Sequence, residues 1–339
     1  MNIKSVAKSA NVSTATVSRT INGSPKVNPQ TAERVRIAIE ALNFYPNTNA
    51  RALGSGRSSL YGLIVSDITN PFFPELVKAF EDIAITHGKE VLIANTNYDP
   101  ERMKVCVTRM LQRKVDGLAI MTSETDERLS SIFRHKNIPL VFLDAGQPSN
   151  GINFVEINYK AGIGAAVQHL VELGHRDIAY LSGPLRLASA RARLQAFTEN
   201  ATLHGLESRN NPAMVQEGNH RIDGGHDAMQ RLLQSGARPT AILASNDLTA
   251  IGAMGYLTEA GIRVPEDISV IGCDDIQLSA FTMPPLTTIS LPRAQIAEAS
   301  FNALLNGRAD DGSTLNEGKS SSVTPTLVLR RSTGPAHVR

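Results

Sequence analysis

The sequence predicts a small all-α head followed by a larger α/β domain built from two units. The first 45 of the 339 residues contain three short stretches with apolar residues at helical spacing, and a Gly/Ser-rich segment follows at residues 54–59. From residue 60 onward, short continuous apolar runs alternate with amphipathic stretches, as in parallel sheets covered by helices. The length suits two or three domains of roughly 100–200 residues each.

The head contains clear signals for the start of its helices. The first helix is predicted over Ile3–Ala10, and Ser13 is a good N-cap for a second helix that runs to about Ile21. Asn28 caps the third helix, and Pro29 takes the first helical position, where its missing N–H costs no hydrogen bond. Two helices joined by about three residues, with a third closing the core, form the helix-turn-helix arrangement.

The body is predicted from seven short apolar runs that are typical of buried parallel strands. They lie at residues 62–66, 91–94, 117–121, 140–143, 178–181, 241–244 and 269–272. Amphipathic helices are predicted between them, the first over residues 74–87. The runs fall into two series, so we expect two α/β units. Ligands of such sheets bind at the carboxyl ends of the strands.

Charge is distributed unevenly between the head and the rest of the chain. The whole chain carries a net charge of +2, but residues 1–58 hold eight basic and two acidic side chains, a net +6, which leaves −4 for the remainder. A basic head on a mildly acidic body suggests that the head meets a polyanion. A solvated basic face is the alternative that charge alone leaves open.

Composition argues against several other classes of protein. Cys106 and Cys273 are too few and too far apart for a disulfide framework or a four-cysteine metal site, so we expect no metal and no cofactor. The absence of a long apolar run and of a signal-peptide core predicts a cytoplasmic protein. Gly162-Ile163-Gly164 lacks the third glycine of a dinucleotide loop, and neither a P-loop lysine nor a nucleophile elbow is present. We therefore predict that the protein is not an enzyme.

The second helix of the head is the predicted DNA-reading element. In a helix-turn-helix, this helix enters the major groove with its N-terminal residues against base edges. Val17 would face the core of the head, and Arg19 can donate two hydrogen bonds to guanine. The remaining residues expected to face DNA in this segment are Ser13, Thr14, Ala15, Thr16 and Ser18. A capped polar surface helix with no DNA partner is the alternative interpretation.

Short motifs recur in order along nearly the whole chain. The head contains Val12-Ser13, Thr16-Val17-Ser18-Arg19 and Leu42-Asn43-Phe44-Tyr45-Pro46-Asn47. The body contains Asn70-Pro71-Phe72-Phe73, Ser182-Gly183-Pro184, Asn246-Asp247 and Asp274-Asp275. Over about residues 3–331, these motifs resemble the LacI/GalR family of bacterial repressors in order and spacing. The resemblance implies an all-α helix-turn-helix DNA-binding head plus an α/β two-lobed sensor domain of the type I periplasmic-binding-protein-like fold.

The resemblance also implies how the chain is divided. Residues 1–45 would form the DNA-binding head, 46–59 a hinge helix and linker, and 60–339 the ligand-binding and dimerisation domain. Lobe 1 would take about residues 60–158 and 290–322, and lobe 2 about 159–289 and 323–331. Leu53 would be the apolar wedge that parts a base step in the minor groove, unless it is a linker residue that covers the body. Further implied DNA contacts are Asn22, Lys26, Tyr45, Asn47 and Ala50.

Seven positions in the body match ligand-binding positions of the family. They are Phe72, Phe73, Asp144, Arg193, His220, Asn246 and Asp274. Carboxylates, an amide and a guanidinium can hydrogen-bond adjacent hydroxyls, and a Phe face can stack on C–H groups, so the set suits a sugar or polyol. A nucleobase would need more aromatic stacking, and the chain has no Trp. His220 as a surface residue and Phe72 as plain core remain alternatives.

The functional prediction is a sequence-specific transcriptional regulator, most simply a repressor, that binds a near-palindromic operator as a homodimer. A sugar-like effector would switch it by binding one lobe arrangement better than the other. No heptad repeat follows residue 331, so we expect no assembly beyond the dimer. The family contains both inducer-released and corepressor-dependent members, and the sequence leaves that sign open. A solute receptor is the rival function, but it would have no use for a basic helix-turn-helix head.

Overall fold

The computed structural model describes residues 2–45, 57–122, 138–144, 148–206, 211–308 and 314–337. The chain divides into two compact units, Met1–Ser59 and Leu60–Arg339. The predicted hinge positions Asn47, Ala50 and Leu53 lie outside the described residues.

The head consists of three helices, α1 (Ile3–Ser9), α2 (Thr14–Ile21) and α3 (Pro29–Ala41). The N-cap side chains predicted for α2 and α3 are both in place: Ser13 Oγ accepts from the Thr16 N–H, and Asn28 Oδ1 accepts from the Gln30 N–H. The core of the head is formed by Val6, Ala7, Ala10, Val17, Val35 and Ala38. Of α2, only Val17 is fully buried, so most of this helix is left at the surface.

The first lobe is built on a six-stranded sheet in which every neighbouring pair is parallel. Its strands are β1 (Leu60–Val65), β2 (Glu90–Asn95), β3 (Gly117–Met121), β4 (Leu140–Leu143), β5 (Ile152–Ile157) and β11 (Ser320–Val323). The spatial order is β11-β5-β4-β3-β1-β2. Among the described residues, the helices of this lobe are α4 (Phe72–Thr86), α5 (Pro100–Gln112) and α10 (Arg293–Leu305). Helix α4 begins two residues before the start predicted from its amphipathic pattern.

The second lobe repeats this plan with one antiparallel strand. Its strands are β6 (Ile178–Ser182), β7 (Val215–Glu217), β8 (Ala241–Ala244), β9 (Ser269–Asp274), β10 (Thr287–Ser290) and β12 (Thr326–Val328). The order is β12-β10-β9-β8-β6-β7, and β12 runs antiparallel to β10. The helices are α6 (Tyr159–Glu172), α7 (Ala188–Leu203), α8 (Ile222–Gln234) and α9 (Asp247–Glu259), with short 3-10 turns at Pro212–Met214 and Gln277–Phe281.

The chain passes between the two sheets three times. It crosses after β5, after β10, and again between β11 and β12. All seven predicted strands are present, whereas β5, β7, β10, β11 and β12 were not predicted. Because the strands within each lobe are parallel apart from β12, their carboxyl ends lie along one edge of each sheet, where loops can form a cleft.

Candidate functional site

The residues predicted to read DNA lie mostly at the surface of the head. Ser13, Thr14, Ala15, Ser18, Arg19, Asn22 and Lys26 are exposed. Tyr45 is 86% exposed. Thr16 is partly buried, and its hydroxyl lies 2.9 Å from Ser13 Oγ, so this side chain belongs to the cap of α2 as well as to the surface.

The positive charge near α2 is available to a partner. Within residues 2–45, the one ion pair joins Arg36 to Glu33 on α3, at 2.9 Å. Arg19 and Lys26 take part in no ion pair with the described residues. An exposed polar helix with cations at its end and in the following turn can contact phosphates and base edges.

The α/β domain brings all seven predicted ligand positions to one cavity between its lobes. The cavity of about 40 Å³ is lined by Phe72, Phe73, Asp144, Arg193, His220, Asn246 and Asp274. Sequence reasoning missed six further polar or aromatic lining residues: Ser66, Asn70, Tyr98, Thr122, Tyr159 and Ser189. Ser66, Thr122, Asp144 and Asp274 stand at strand carboxyl ends, where parallel sheets bind ligands.

Arg193 is the buried cation of this cavity, and its direct contacts are with residues of lobe 2. It lies on α7 and is 8% exposed. Nη1 donates to the Ser245 carbonyl at 2.5 Å and lies 3.8 Å from Asp274 Oδ1. Nη2 donates to Tyr159 Oη at 3.3 Å, and the guanidinium stacks on the Tyr159 ring, 4.8 Å from its centroid. The buried Nε has no hydrogen-bond partner among the described residues, which makes it a donor for a bound molecule.

Two carboxylates flank Arg193 on strained backbone. Asp144 and Asp274 have φ angles of 64° and 120°, in the left-handed region that side-chain-bearing residues rarely adopt. Burial raises the pKa of Asp274 to about 6, against the opposing effects of Arg193 and Arg293. Burial also raises the pKa of Asp144, which accepts hydrogen bonds from the Ile157 N–H at 3.0 Å and the Tyr159 hydroxyl at 2.6 Å.

His220 is held neutral at the wall of the cavity. Burial, together with the charges of Arg193 and Arg186, lowers its pKa to about 3. Its Nε2 is buried without a partner among the described residues. A Cβ at Gly183 would overlap the ring, so the glycine allows the imidazole to pack against the backbone. The alternative of a surface residue does not describe His220, because its side chain is buried.

Asn246 lines the cavity, but much of its amide is already used by the fold. Its Oδ1 caps α9 by accepting from the Thr249 N–H at 2.9 Å, and its Nδ2 donates to the His220 carbonyl at 3.0 Å. One amide N–H is left for a ligand. The Asn246 amide can therefore form fewer hydrogen bonds with a bound molecule than predicted from the sequence.

Of the lining residues that were not predicted, some lie in a recognisable sequence motif and others carry no such signal. Asn70 lies in the quoted Asn-Pro-Phe-Phe motif; its Oδ1 accepts from the Phe72 N–H at 3.1 Å, and its amide also bonds Asp274. Tyr159 follows β5, a strand that was not predicted, so nothing marked it as a strand-end residue. Its role is visible only from its contacts with Arg193 and Asp144.

Polar contacts also join the two lobes at the rim of the cavity. Arg221, which precedes α8 of lobe 2, donates from Nη2 to Asp67 Oδ2 and to Asn97 Oδ1 of lobe 1, each at 2.9 Å. Asp67 is 2% exposed. Burial would raise its pKa, but hydrogen bonds from Thr69 and Arg221 lower it below its ordinary value. Asp67 is therefore ionised at neutral pH, and Arg221 is the cation that pairs with it across the cleft.

The part of the chain that the structure describes contains neither a candidate metal cluster nor a candidate membrane-spanning helix. There, no cluster of three or more His, Cys, Asp or Glu side chains could hold a metal ion. No helix of that part is long and apolar enough to cross a membrane.

Comparison of the sequence with known families gives two matches. Residues 2–47 match the bacterial regulatory proteins of the lacI family, and residues 167–333 match the periplasmic binding protein-like domain. The HTH-type transcriptional repressor PurR of Haemophilus influenzae (strain PittEE) is 36% identical over 331 residues, covering 97% of this chain and 98% of the relative. PurR of Erwinia tasmaniensis is 35% identical over 337 residues, covering 97% and 96%.

Solved structures agree with these matches. The crystal structure of the Lac repressor dimer bound to operator and the anti-inducer ONPF has a TM-score of 0.86 at 32% identity, covering 98% of this chain and 99% of that chain. A complex of the transcriptional regulator CelR with cellobiose has a TM-score of 0.73 at 28% identity, covering 98% and 99%.

The predicted fold class is confirmed: a helical helix-turn-helix head is followed by a two-sheet α/β periplasmic-binding-protein-like domain. The matched relatives are transcriptional repressors rather than enzymes. Identity above 30% over nearly the whole of both chains goes beyond a shared fold. This chain therefore belongs to the lacI family of bacterial regulatory proteins and is a DNA-binding transcriptional repressor.

Proposed function

We propose that this repressor binds a near-palindromic operator as a homodimer and is switched by an uncharged sugar-like effector held between its lobes. The observation that carries the effector site is the convergence of seven predicted residues, from distant parts of the sequence, on one cavity. Such a protein has no catalytic step, and its DNA partner places it in the bacterial cytoplasm.

The head would read one operator half-site through α2. Thr14, Ala15 and Arg19 would face base edges, with Arg19 donating two hydrogen bonds to a guanine. Their exposure supports this assignment. The hydroxyl, amide and cationic side chains around them would contact phosphates: Ser13, Thr16, Ser18, Asn22, Lys26 and Tyr45. Asn47, Ala50 and Leu53 would act in the minor groove, Leu53 as the wedge.

Dimerisation would place two heads on two half-sites related by a two-fold axis, which is why the operator is expected to be near-palindromic. The sensor domain exposes large apolar side chains that suit a partner surface. Phe281 is 77% and Met283 is 91% exposed, and Ile222 and Leu278 are about half exposed. Ile222 and Leu278 line the same surface pocket, and such a grouping of exposed apolar side chains supports an interaction site. The Lac repressor structure similar to this chain is itself a dimer.

The polar groups of the cavity favour an effector with hydroxyls and no formal charge. Arg193 already faces Asp274, and its two terminal nitrogens donate to Ser245 and Tyr159. Neutral His220 adds no positive charge, whereas Asp144 adds a carboxylate. A phosphate or carboxylate on the effector would lie close to Asp144 and Asp274, and the buried cation of the cavity, Arg193, is already engaged by protein groups. Burying an unpaired negative charge there would cost binding free energy.

The size of the cavity indicates how the switch would operate. A volume of about 40 Å³ has room for only one or a few water molecules, whereas pockets for small organic ligands measure about 300–1,000 Å³. An effector must therefore move the lobes apart or repack the lining. It would bind the opened arrangement better than the closed one, and that difference in affinity shifts the equilibrium.

The proposal is tested by selecting genomic DNA fragments with the purified full-length protein. The selection is run without ligand and then with neutral mono- and disaccharides, their phosphate esters, and purine bases. We expect one palindromic sequence to be enriched and one neutral sugar to change its recovery. Loss of recovery identifies an inducer, and gain identifies a corepressor.

Three results of this selection would contradict parts of the proposal. A response to purine bases alone would overturn the sugar assignment, and a response to a phosphate ester alone would overturn the uncharged effector. If no fragment were enriched under any condition, the repressor would not recognise DNA in the proposed way. Matched reactions with random DNA control for non-specific binding, which falls steeply with salt.

A further inference from the structure

Tyr159 lines the cavity and contacts residues of both lobes. It is buried at the start of α6, immediately after the chain first crosses from one sheet to the other. Its hydroxyl contacts Asp144, which follows β4 of lobe 1, and Arg193, which lies on α7 of lobe 2. No family motif quoted from the sequence contains Tyr159, and its side chain takes no part in capping its own helix.

The three side chains form a directed series of hydrogen bonds. Arg193 Nη2 donates to Tyr159 Oη at 3.3 Å, and the Tyr159 hydroxyl donates to Asp144 Oδ2 at 2.6 Å. Burial keeps the pKa of the Tyr159 phenol well above its ordinary value, so the hydroxyl retains the proton that this direction requires. Because guanidinium only donates and carboxylate only accepts, a hydroxyl such as that of Tyr159 can connect them by accepting from one and donating to the other through one oxygen atom.

Tyr159 also restricts the orientation of the guanidinium plane. The ring lies against the guanidinium, with 4.8 Å between Arg193 Cζ and the ring centroid. Nη1 is held by the Ser245 carbonyl and lies 3.8 Å from Asp274 Oδ1. With Nη1 and Nη2 both engaged, the guanidinium nitrogen without a protein partner among the described residues is the buried Nε, and Arg193 is one of the residues that line the cavity.

We infer that Tyr159 is a positioning residue of the effector site, which fixes Arg193 for the ligand and connects this contact to lobe 1 through Asp144. This inference rests on the proposed effector site. When the lobes separate, the hydrogen bond from Tyr159 to Asp144, like those from Arg221 to Asp67 and Asn97, must stretch or be exchanged for a bond to another group. Effector binding is thereby coupled to lobe movement at this hydroxyl.

The experiment compares the full-length Tyr159→Phe and Tyr180→Phe variants with the wild type. Tyr180 is the matched control because it is fully buried in the same lobe and stacks on Phe197, while its hydroxyl has no hydrogen-bond partner among the described residues. Calorimetry measures the affinity of each protein for the sugar that binds the wild type most tightly in the panel. Operator affinity without sugar is measured in parallel.

We expect Tyr159→Phe to weaken sugar binding by about tenfold or more, since a hydrogen bond to a charged group is lost. Tyr180→Phe should leave both affinities unchanged. The double variant Tyr159→Phe/Asp144→Asn should lose less sugar affinity than the product of the two single losses, because both changes act through the same contact. Equal sugar affinity in Tyr159→Phe and wild type, or equal losses in the two tyrosine variants, would overturn the inference.

A ligand-free crystal structure of Tyr159→Phe separates this inference from the proposed function. We expect the guanidinium of Arg193 to rotate away from its wild-type orientation. If it keeps that orientation, Tyr159 does not position it, whatever the effector is. If no panel compound binds the wild type, the proposed sugar effector fails, while the orientation of Arg193 in the variant still decides the role of Tyr159.

Discussion

The head and the sensor domain present their functional residues in different ways. In the head, residues proposed to contact DNA follow one another along α2, and the local cap at Ser13 together with one buried anchor, Val17, explains why they are exposed. In the sensor domain, the proposed ligand residues come from different strands and helices of two lobes. The head can therefore be altered one residue at a time, whereas changes in the cavity affect coupled neighbours.

The largest effect is expected from Asp274→Ala, which should abolish the sugar response and leave operator affinity intact. The change removes a proposed acceptor and leaves buried Arg193 without its nearby carboxylate. Operator binding is measured by titration with and without sugar. A variant that still responds normally would contradict the cavity assignment and the separation between the two regions. Asp267→Ala, which removes a carboxylate paired with Arg263 at the surface, is the control.

Arg19→Ala should weaken operator binding by about 5- to 150-fold, the equivalent of about 1–3 kcal/mol for a bidentate contact to guanine. Binding to random DNA should change less. Affinities are measured over a range of salt concentrations with Arg36→Ala as the control, since Arg36 pairs with Glu33 on α3. Equal losses on both DNAs with a shallower salt dependence would show that Arg19 contacts only phosphate.

Sugar affinity should fall by up to about tenfold as the pH drops from 7 to 5, because the pKa of Asp274 is about 6 and its protonated form loses acceptor capacity. The charged groups facing this carboxyl are Arg193, Arg293, Glu75 and Asp247. Calorimetry between pH 5 and 8 should show this fall in wild type and a flat profile in Asp274→Asn. The same slope in both proteins would assign the titration to another group.

Asp274 makes the stability of the fold depend on pH in the opposite direction to an acid that is salt-bridged at the surface, whose pKa folding lowers. The Asp274 carboxyl binds its proton more tightly in the folded state, because folding raises its pKa. Its contribution to the free energy of unfolding therefore decreases as the pH rises from about 4, the ordinary pKa of Asp, to about 6, its pKa in the folded protein.

Arg221→Gln should raise sugar affinity by a few-fold, because it weakens the contact that joins Asp67 and Asn97 of lobe 1 to lobe 2. The effect is limited because the Arg221 side chain is nearly half exposed, and water screens such a pair. Asp67→Asn should act in the same direction. Unchanged sugar affinity in both variants would show that this contact does not oppose lobe opening.

The smallest effect is expected from Asn28→Ala, which removes the cap of α3 and should destabilise the head by about 1 kcal/mol. Operator affinity of the full-length protein should fall by a few-fold at elevated temperature. Asn28→Ser retains a capping oxygen and should bind as the wild type does. Identical losses in both variants would show that Asn28 acts through DNA contact rather than through the helix.

Elements marked by local signals were predictable, and elements stabilised by their neighbours were not. The three head helices and seven strands followed from caps and apolar runs. The missed strands β7 and β12 are three residues long, and β11 is Ser-Ser-Ser-Val, so none contains the apolar run by which buried strands were recognised. They pair because the neighbouring strands β6, β10 and β5 offer open edges.

The same division applies to the candidate site. The sequence by itself determined the family, the helix-turn-helix and the positions of the seven cavity residues, because these depend on the order of residues along the chain. Only the tertiary structure decided that Asn246 uses most of its amide as a cap, that His220 is neutral, and that Tyr159 lies between Asp144 and Arg193. These properties depend on burial and on partners distant in sequence, which are set only when the two lobes pack together.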